Sequence, residues 1–219
     1  MNRTSSILVA AISVALIFTF SSCDDDPKKA LIGQWETDSR DGKKYKTVKI
    51  GKQVWLAENL NFELGDSKCY DNNPENCEKY GRLYNWKDAN VACPKGWRLP
   101  SNADWDVLYA HAEGNAANCV NNDGINGLCP TAGIKLKAVS GWDTGSGYIA
   151  GTDAFGFSAL PGGGYGSSFG NAGYFGYWWS ASENGSNFAY SRNMGYDIEN
   201  ARWGNGSKDV LFSVRCLKD

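Results

Sequence analysis

The stretch that contributes most to the fold prediction is 93–109, CPKGWRLPSNADWDVLY. Pro100 ends an extended segment, and Ser101 belongs to the residue types that cap helix N-termini. Asp104 follows three residues later, where its carboxylate can return the capping interaction at the positive end of the helix. The sequence therefore predicts a helix that starts at Ser101 and ends near Gly114, since glycine commonly follows a helix.

This long helix has one apolar face, and shorter helices are predicted on both sides of it. Trp105, Leu108 and Tyr109 recur at a spacing of three to four residues, which directs them to a core. The same spacing predicts a short helix over 85–93, and another is expected over 131–139. These elements alone would make a small helical layer.

Strand signals lie before and after the helices. Two β-rich runs within 45–56 are separated by Gly51-Lys52, and a two-residue connection that begins with glycine suits a type II′ hairpin. In the late part of the chain Arg215 is expected on the strand face opposite Cys216. Three late runs alternate as half-buried antiparallel strands do: YWWSAS at 177–182, NFAYSRNM at 187–194 and DVLFSVRCL at 209–217.

The composition favours short strands and long ordered loops over a helix bundle. The chain has 26 Gly, nine Trp, 11 Tyr and nine Phe among 219 residues. The formal net charge is −2 with no basic stripe, so no nucleic-acid partner is expected. The predicted fold class is therefore α+β, with short helices, antiparallel strands and long glycine-rich loops.

The N-terminus has the features of a secretory signal peptide. Arg3 precedes an apolar run over 7–20, and the small pair Ser21-Ser22 stands directly before Cys23. The run is short for a transmembrane helix, which needs roughly 20 residues. We therefore predict a signal peptide over residues 1–22.

Ser21-Ser22-Cys23 resembles a lipobox, and this likeness implies that Cys23 becomes the lipidated first residue of an outer-membrane lipoprotein. Several acyl chains on one residue would anchor the protein firmly without a membrane span. Asp24-Asp25-Asp26 resembles the surface-export signals of Bacteroidetes lipoproteins, which implies a location on the cell surface. The alternatives are a solvated spacer on the periplasmic face, or cleavage elsewhere that leaves Cys23 as a thiol. Residues 23–40 are predicted to be a polar tether.

Six cysteines remain once Cys23 is assigned to lipid, and an even number in an exported chain indicates disulfides. Spacing suggests two local bridges across turn-rich segments and one long bridge that ties the last strand to the middle of the chain. The pairs are Cys69 with Cys77, Cys119 with Cys129, and Cys93 with Cys216. No clustered Cys/His spacing of the kind that binds zinc is present, so no metal is predicted.

Six phrases in order resemble the Fibrobacter succinogenes major paralogous domain, from about Asp38 to Asp219: DGKKYKTVKIGKQVWLAENLNF, YGRLYNW, CPKGWRLPSNADWDVLY, GTDAFGFSALPGG, WWSASE and SVRCLKD. We place the domain at 41–219. Members are commonly exported or lipid-anchored. GWRLP before a helix, WWSAS on a strand and a late cysteine are also similar to the C-type-lectin-like fold, which implies that architecture here.

Sugar-binding sites combine aromatic faces with carboxylate or amide groups, and the late part of the chain offers both. In a lectin-like fold the long glycine-rich loop commonly contacts the ligand, which implies a site here. The same side chains could instead be core residues or close Asx turns. The candidate ligand-binding residues are Trp142, Asp143, Asp153, Tyr165, Trp203 and Asn205.

The expected function is non-enzymatic recognition or adhesion at the cell surface, with polysaccharide or another surface protein as partner. No nucleophile constellation or phosphate loop occurs, and the single histidine, His111, is expected at a helix end. Calcium is possible, but the EPN, QPD and WND tripeptides of C-type lectins are absent from the loop. The alternatives are a structural or protein-binding envelope component and, less favoured, an oxidase of the formylglycine-generating type.

Overall fold

A computed structural model describes residues 34–119 and 128–219. The predicted signal peptide, Cys23 and most of the predicted tether lie outside the described residues, as does the segment 120–127. No helix in the described ranges is long and apolar enough to cross a membrane.

The described structure contains four α-helices and thirteen strands. The helices are α1 (Pro74–Tyr80), α2 (Trp86–Ala92), α3 (Asn102–Glu113) and α4 (Ala132–Leu136). The strands are β1 (Gln34–Thr37), β2 (Lys44–Ile50), β3 (Gln53–Leu56), β4 (Leu83–Tyr84), β5 (Trp97–Arg98), β6 (Leu128–Cys129), β7 (Gly162–Tyr165), β8 (Phe169–Ala172), β9 (Phe175–Glu183), β10 (Phe188–Gly195), β11 (Ala201–Ser207), β12 (Phe212–Ser213) and β13 (Leu217–Lys218).

The strands form two sheets, and most of their pairings are antiparallel. One sheet has the order β1-β2-β3-β13-β5, and the other has the order β4-β12-β9-β10-β11-β6, with β7 joining β9 and β8 joining β7. Parallel contacts occur only between β12 and β9 and between β7 and β9 among these named strand pairs. The predicted α+β class with antiparallel strands is therefore confirmed.

Strand β9 separates two hydrophobic clusters. Successive side chains of a strand point to opposite faces, and Trp178 and Trp179 are both fully buried, one in each cluster. Trp178 lies at 6.4 Å from Trp105 of α3, measured between ring centroids. Trp179 lies at 4.7 Å from Phe212 of β12. Burial of two indoles on the two faces of one strand places β9 at the centre of the domain.

The β2–β3 hairpin has the turn that the sequence predicts. Its register pairs Ile50 with Gln53, so Gly51 and Lys52 form the connection. Gly51 has a φ of +60°, as a type II′ turn requires at its first central position. A side chain at Gly51 would be strained at this φ, which explains the glycine.

Helix α3 begins with the predicted capping box. The Ser101 hydroxyl accepts from the Asp104 amide, and Asp104 Oδ2 accepts from the Ser101 amide at 2.8 Å. Arg98 of β5 donates two further hydrogen bonds to the same carboxylate, at 2.6 and 2.9 Å. Burial opposes ionisation, but the hydrogen bonds from Arg98 and Ser101 lower the pKa of Asp104 to about 2.

We expect Asp104→Asn to lower the free energy of unfolding by about 1–2 kcal/mol at pH 7, allowing for the solvent exposure of Arg98. The folded-state pKa of Asp104 lies below the ordinary value of 3.8 for an aspartate carboxyl group. The carboxylate therefore stabilises the fold above about pH 4, and this contribution disappears as the pH falls towards 2. Denaturant titrations of both proteins at pH 7 and pH 2.5 measure the difference.

The control for this prediction is Asp209→Asn, which changes an exposed carboxylate that forms no salt bridge in the described structure, and it should cost less than about 0.5 kcal/mol at pH 7. A gap between wild type and Asp104→Asn that is as large at pH 2.5 as at pH 7 would contradict the proposed role of the ionised carboxylate.

Two sequence-based expectations need correction near the N-terminal side of the domain. Gln34–Thr37 pairs with Lys44–Thr47 as an antiparallel edge strand, so the polar tether expected over 23–40 ends before Gln34. The segment between Cys69 and Cys77 is more than a turn, because helix α1 begins within it. Asn73 caps α1 through the Glu75 amide, and proline occupies the first turn, where its missing N–H costs nothing.

All six cysteines of the described residues are paired, in the pattern that the spacing predicts. The two local bridges are Cys69–Cys77 and Cys119–Cys129. The third, Cys93–Cys216, joins residues 123 positions apart and connects the end of α2 to the segment that leads into β13.

Candidate functional site

The six candidate ligand-binding residues lie in three places. Trp142, Asp143 and Asp153 belong to the loop between α4 and β7, Tyr165 ends β7, and Trp203 and Asn205 lie on β11. Among the described residues no hydrogen bond or ring contact links one place to another. They therefore do not form the single site that the sequence suggested, and each place has to be judged separately.

Trp142 belongs to the core. Its side chain is 5% exposed, and its indole Nε1 donates to the Ala159 carbonyl oxygen at 3.1 Å. The Lys137 ammonium lies 5.4 Å from the ring centroid, within the range of a cation–π contact. This corrects the expectation that Trp142 offers a face to a ligand, because both its polar atom and its ring are already in contact with the protein.

Lys137 is a buried cation that the sequence analysis missed. It has no exposed surface, and burial lowers its pKa to about 8, whereas the nearby Asp197 and Glu199 favour the charged form. The ammonium holds the start of the glycine-rich loop against the end of β10. It donates to three carbonyl oxygens, those of Ile149 at 2.9 Å, Gly195 at 2.9 Å and Ile198 at 3.0 Å.

The two loop carboxylates stabilise turns. Asp143 Oδ1 accepts from the Gly145 amide at 2.8 Å, which closes an Asx turn. Asp153 accepts from both the amide and the hydroxyl of Ser158, at 2.7 and 2.6 Å. Asp153 itself has a φ of +44°, an uncommon value for a residue with a side chain. Both carboxylates are therefore engaged in shaping the loop.

Arg215 lies beneath this loop as a second buried cation. The sequence pattern assigns Arg215 to a strand, on the face opposite Cys216, but in the structure it lies between β12 and β13, outside any strand, and is fully buried. Burial lowers the pKa of Arg215 to about 9, against the attraction of Asp153 and Glu58. The guanidinium donates to Asn59 Oδ1 at 2.8 Å and to three carbonyl oxygens, those of Leu56, Phe157 and Ser158. Arg215 is therefore structural.

Trp203 and Asn205 lie on β11 beside an aromatic neighbour. Tyr190 of β10 pairs with Asn205 in the register, and its ring centroid lies 5.6 Å from that of Trp203 in an edge-to-face arrangement. Trp203 is half-buried and Asn205 is exposed. This pair is accessible but lies on an open strand surface, since β6 covers only the start of β11 at Ala201 and Arg202.

Tyr165 is the one candidate that lines a described cavity, which we call the Tyr165 cavity. The cavity has a volume of about 360 Å³. The half-buried ring of Tyr165 lies 4.7 Å from that of Phe169, and Lys68 Nζ lies 5.7 Å from the ring centroid. The polar residues that complete the lining are Asp66, Lys68, Asn85, Lys87 and Asp209.

The lining of the Tyr165 cavity suits a ligand with hydroxyl groups and an apolar face. Phe169 also contacts Tyr70, at 5.3 Å between ring centroids, so three rings extend away from the cavity. Within the described structure the carboxylates of Asp66 and Asp209 form no salt bridge, and their oxygens can accept from a ligand. Sequence analysis found Tyr165 but missed the acidic residues, because they lie far from it along the chain.

No group of three or more metal-binding side chains occurs among residues 34–119 and 128–219. His111 contacts Phe155 at 5.4 Å between ring centroids, near the end of α3.

The structure defines a small disulfide-bonded α+β domain in which buried cations hold a long loop and one aromatic cavity opens at the β7–β8 hairpin. The chain matches the sequence model of the Fibrobacter succinogenes major domain over residues 48–218, and it belongs to this family. The resemblance seen in the six sequence phrases is thereby confirmed. Searches of curated proteins and of solved structures gave no significant match.

Proposed function

We propose that this protein is a non-enzymatic recognition domain that binds polysaccharide at the Tyr165 cavity. The observation that supports this proposal best is that one half-exposed aromatic ring, two acceptor carboxylates and two ammonium groups line the same cavity. The faces of aromatic rings pack against the C–H surfaces of sugars, while carboxylates and ammonium groups hydrogen-bond to hydroxyls. The row Tyr165, Phe169 and Tyr70 would extend the contact to further sugar units of a chain.

The proposal includes a C-type-lectin-like architecture and an outer-membrane anchor at Cys23. The long bridge Cys93–Cys216, the helix that follows GWRLP and the central WWSAS strand support the lectin-like part. The lipobox and the acidic residues after it support a surface lipoprotein.

We expect Tyr165→Ala to weaken polysaccharide binding, because the ring supplies the only aromatic wall of the Tyr165 cavity among the described residues. Loss of one stacking contact of about 1–1.5 kcal/mol weakens binding roughly tenfold. The measurement is affinity electrophoresis of the full chain in non-ionic detergent, through gels that hold different polysaccharides, with calcium and with chelator. Phe188→Ala, which removes an exposed ring elsewhere, is the matched control.

Trp203→Ala in the same gels distinguishes the two accessible aromatic places. Retardation that is lost in Trp203→Ala but kept in Tyr165→Ala would move the site to β11. Absence of retardation by any polysaccharide would favour the alternative, a structural or protein-binding component of the envelope. The oxidase alternative needs a thiol pair, and the six cysteines of the described residues form three disulfides.

A further inference from the structure

A second cavity lies between β2, the segment after β3 and helix α1, and we call it the Asn61 cavity. Its volume is about 510 Å³. The wall contains the buried residues Tyr45, Asn59 and Asn61, and charged side chains surround it. None of the Tyr165 cavity residues lines it.

The side-chain oxygen of Asn61 is an acceptor that receives no hydrogen bond in the described structure. Asn61 is 8% exposed, and its Nδ2 donates to Glu78 Oε1 at 3.2 Å, while its Oδ1 has no hydrogen-bond partner in the described structure. The carboxylate of Glu78 fixes the orientation of the amide, because it can accept from Nδ2 but cannot donate to Oδ1. A buried acceptor left in this state costs about 1–3 kcal/mol, so a ligand that donates to it is favoured.

Tyr45 contributes the complementary donor. Its hydroxyl oxygen accepts a hydrogen bond from the backbone N–H of Asn61 at 3.1 Å. The hydroxyl proton itself has no acceptor among the described residues. Burial raises the pKa of Tyr45 to about 12, so the group keeps its proton at neutral pH. Asn61 and Tyr45 both line the cavity, so a ligand hydroxyl group that reaches both can donate to Asn61 Oδ1 and accept from the Tyr45 hydroxyl.

The backbone around these groups is tightly packed. Gly81 has a φ of +75°, and a Cβ there would approach both Asn59 Cβ and the Leu60 carbonyl oxygen to 2.8 Å. Asn59 is held from the other side, since its Oδ1 accepts from Trp178 and Arg215 and its Nδ2 donates to the Tyr80 carbonyl oxygen.

The charges around the Asn61 cavity are mixed rather than of one sign. Three lysines and two glutamates are among its lining residues, so neither an anion nor a cation is strongly selected. Lys43 Nζ already donates to the Asn61 carbonyl oxygen at 2.7 Å. The charged lining residues are Lys43, Lys44, Glu58, Glu78 and Lys79.

We propose that the Asn61 cavity binds a neutral, hydroxyl-rich ligand, a single sugar unit, through the Asn61 amide and the Tyr45 hydroxyl. The Asn61 Oδ1 atom is covered by its neighbours, so binding requires a small local rearrangement of the wall. This site is separate from the Tyr165 cavity and does not depend on the function proposed there. The sugar unit can be free or can be the end of a longer chain.

Saturation-transfer NMR on the full chain in non-ionic detergent tests this proposal. The probes are glucose, galactose, mannose, xylose and arabinose, each with its methyl glycoside and a disaccharide. We expect at least one monosaccharide to bind, and we expect Tyr45→Phe and Asn61→Ala to weaken its binding about tenfold. Tyr174→Phe and Asn187→Ala, which make the same changes at exposed positions outside both cavities, should leave it unchanged.

Tyr45→Phe removes one oxygen atom and keeps the ring. If Asn61→Ala fails to fold, sugar binding by Tyr45→Phe therefore tests the proposal. Absence of binding by every sugar, or equal binding by wild type and a folded Tyr45→Phe variant, overturns the proposal. Binding of disaccharides without binding of any monosaccharide would identify the ligand as the end of a sugar chain. Tyr165→Ala should keep monosaccharide binding, which separates this proposal from that for the Tyr165 cavity.

Discussion

Replacing Arg215 by methionine is expected to lower the free energy of unfolding by about 4 kcal/mol or more. The substitution keeps much of the volume but removes the donors to the carbonyl oxygens of Leu56, Phe157 and Ser158. Each buried acceptor left without a donor costs about 1–3 kcal/mol. The site is closed, so water cannot replace the guanidinium without local unfolding.

Denaturant titration under non-reducing conditions measures this effect. Arg202→Met, at an exposed position of β11, is the matched control and should change the free energy by less than about 0.5 kcal/mol. Retention of wild-type stability by Arg215→Met would show that hydrophobic packing can replace the cation, as it does at some buried ion pairs. The acceptors here are neutral carbonyls and an amide, so we expect the opposite.

Removing the long disulfide, by Cys93→Ala together with Cys216→Ala, is expected to cost about 4–5 kcal/mol. The bridge closes a loop of 123 residues, and the entropy that a cross-link removes from the unfolded chain grows with loop length. Calorimetric or denaturant unfolding of the double variant gives the loss directly.

The local bridges of the same chain provide the comparison. Replacing Cys119 and Cys129 together opens a loop with a sequence separation of only 10 and should cost about 3 kcal/mol on the same chain-entropy model. Equal losses in the two double variants would indicate that native packing around the sulfur atoms, rather than chain entropy, determines the stabilisation.

The sequence correctly predicted those helices and turns whose ends are determined by residues close to them in the chain. The Ser101–Asp104 capping box and Gly114 bound α3 as expected, because a helix end is fixed by neighbouring residues. Helix α1 has comparable signals in Asn73, Pro74 and Glu75. The segment between Cys69 and Cys77 was nevertheless predicted to be a turn, because its composition is typical of turns. The II′ hairpin at Gly51 followed from the two-residue spacing of the runs and from the glycine at the first position of the connection.

The buried cations could not be predicted from periodicity. The sequence predicts Arg215 on a half-buried strand, but it is fully buried because both the segment after β3 and the glycine-rich loop contact its guanidinium. Lys137 follows a short helix and would ordinarily reach water. Which loop carbonyls converge on a cation depends on tertiary contacts, and no pattern of neighbouring residues encodes this.

The candidate site was predicted in part. Aromatic residues in a glycine-rich region indicated a ligand surface, but the same composition serves for packing, as Trp142 shows. Tyr165 lines a cavity, whereas its partners Asp66 and Asp209 come from distant parts of the sequence. The Asn61 cavity gave no sequence signal, since an unpaired amide oxygen is visible only in three dimensions.

The position of β13 between β3 and β5 bears on the order of folding events. Leu217 pairs with Trp55 and Arg98, so the five-stranded sheet joins segments far apart in the chain, and such topologies fold slowly. The Cys93–Cys216 bridge ends only a few residues before β5 and directly before β13. In the oxidised chain these two strands are effectively neighbours along the covalent path. Oxidation therefore changes a distant strand pairing into a local one, and the oxidised chain can refold without repeating the slow search.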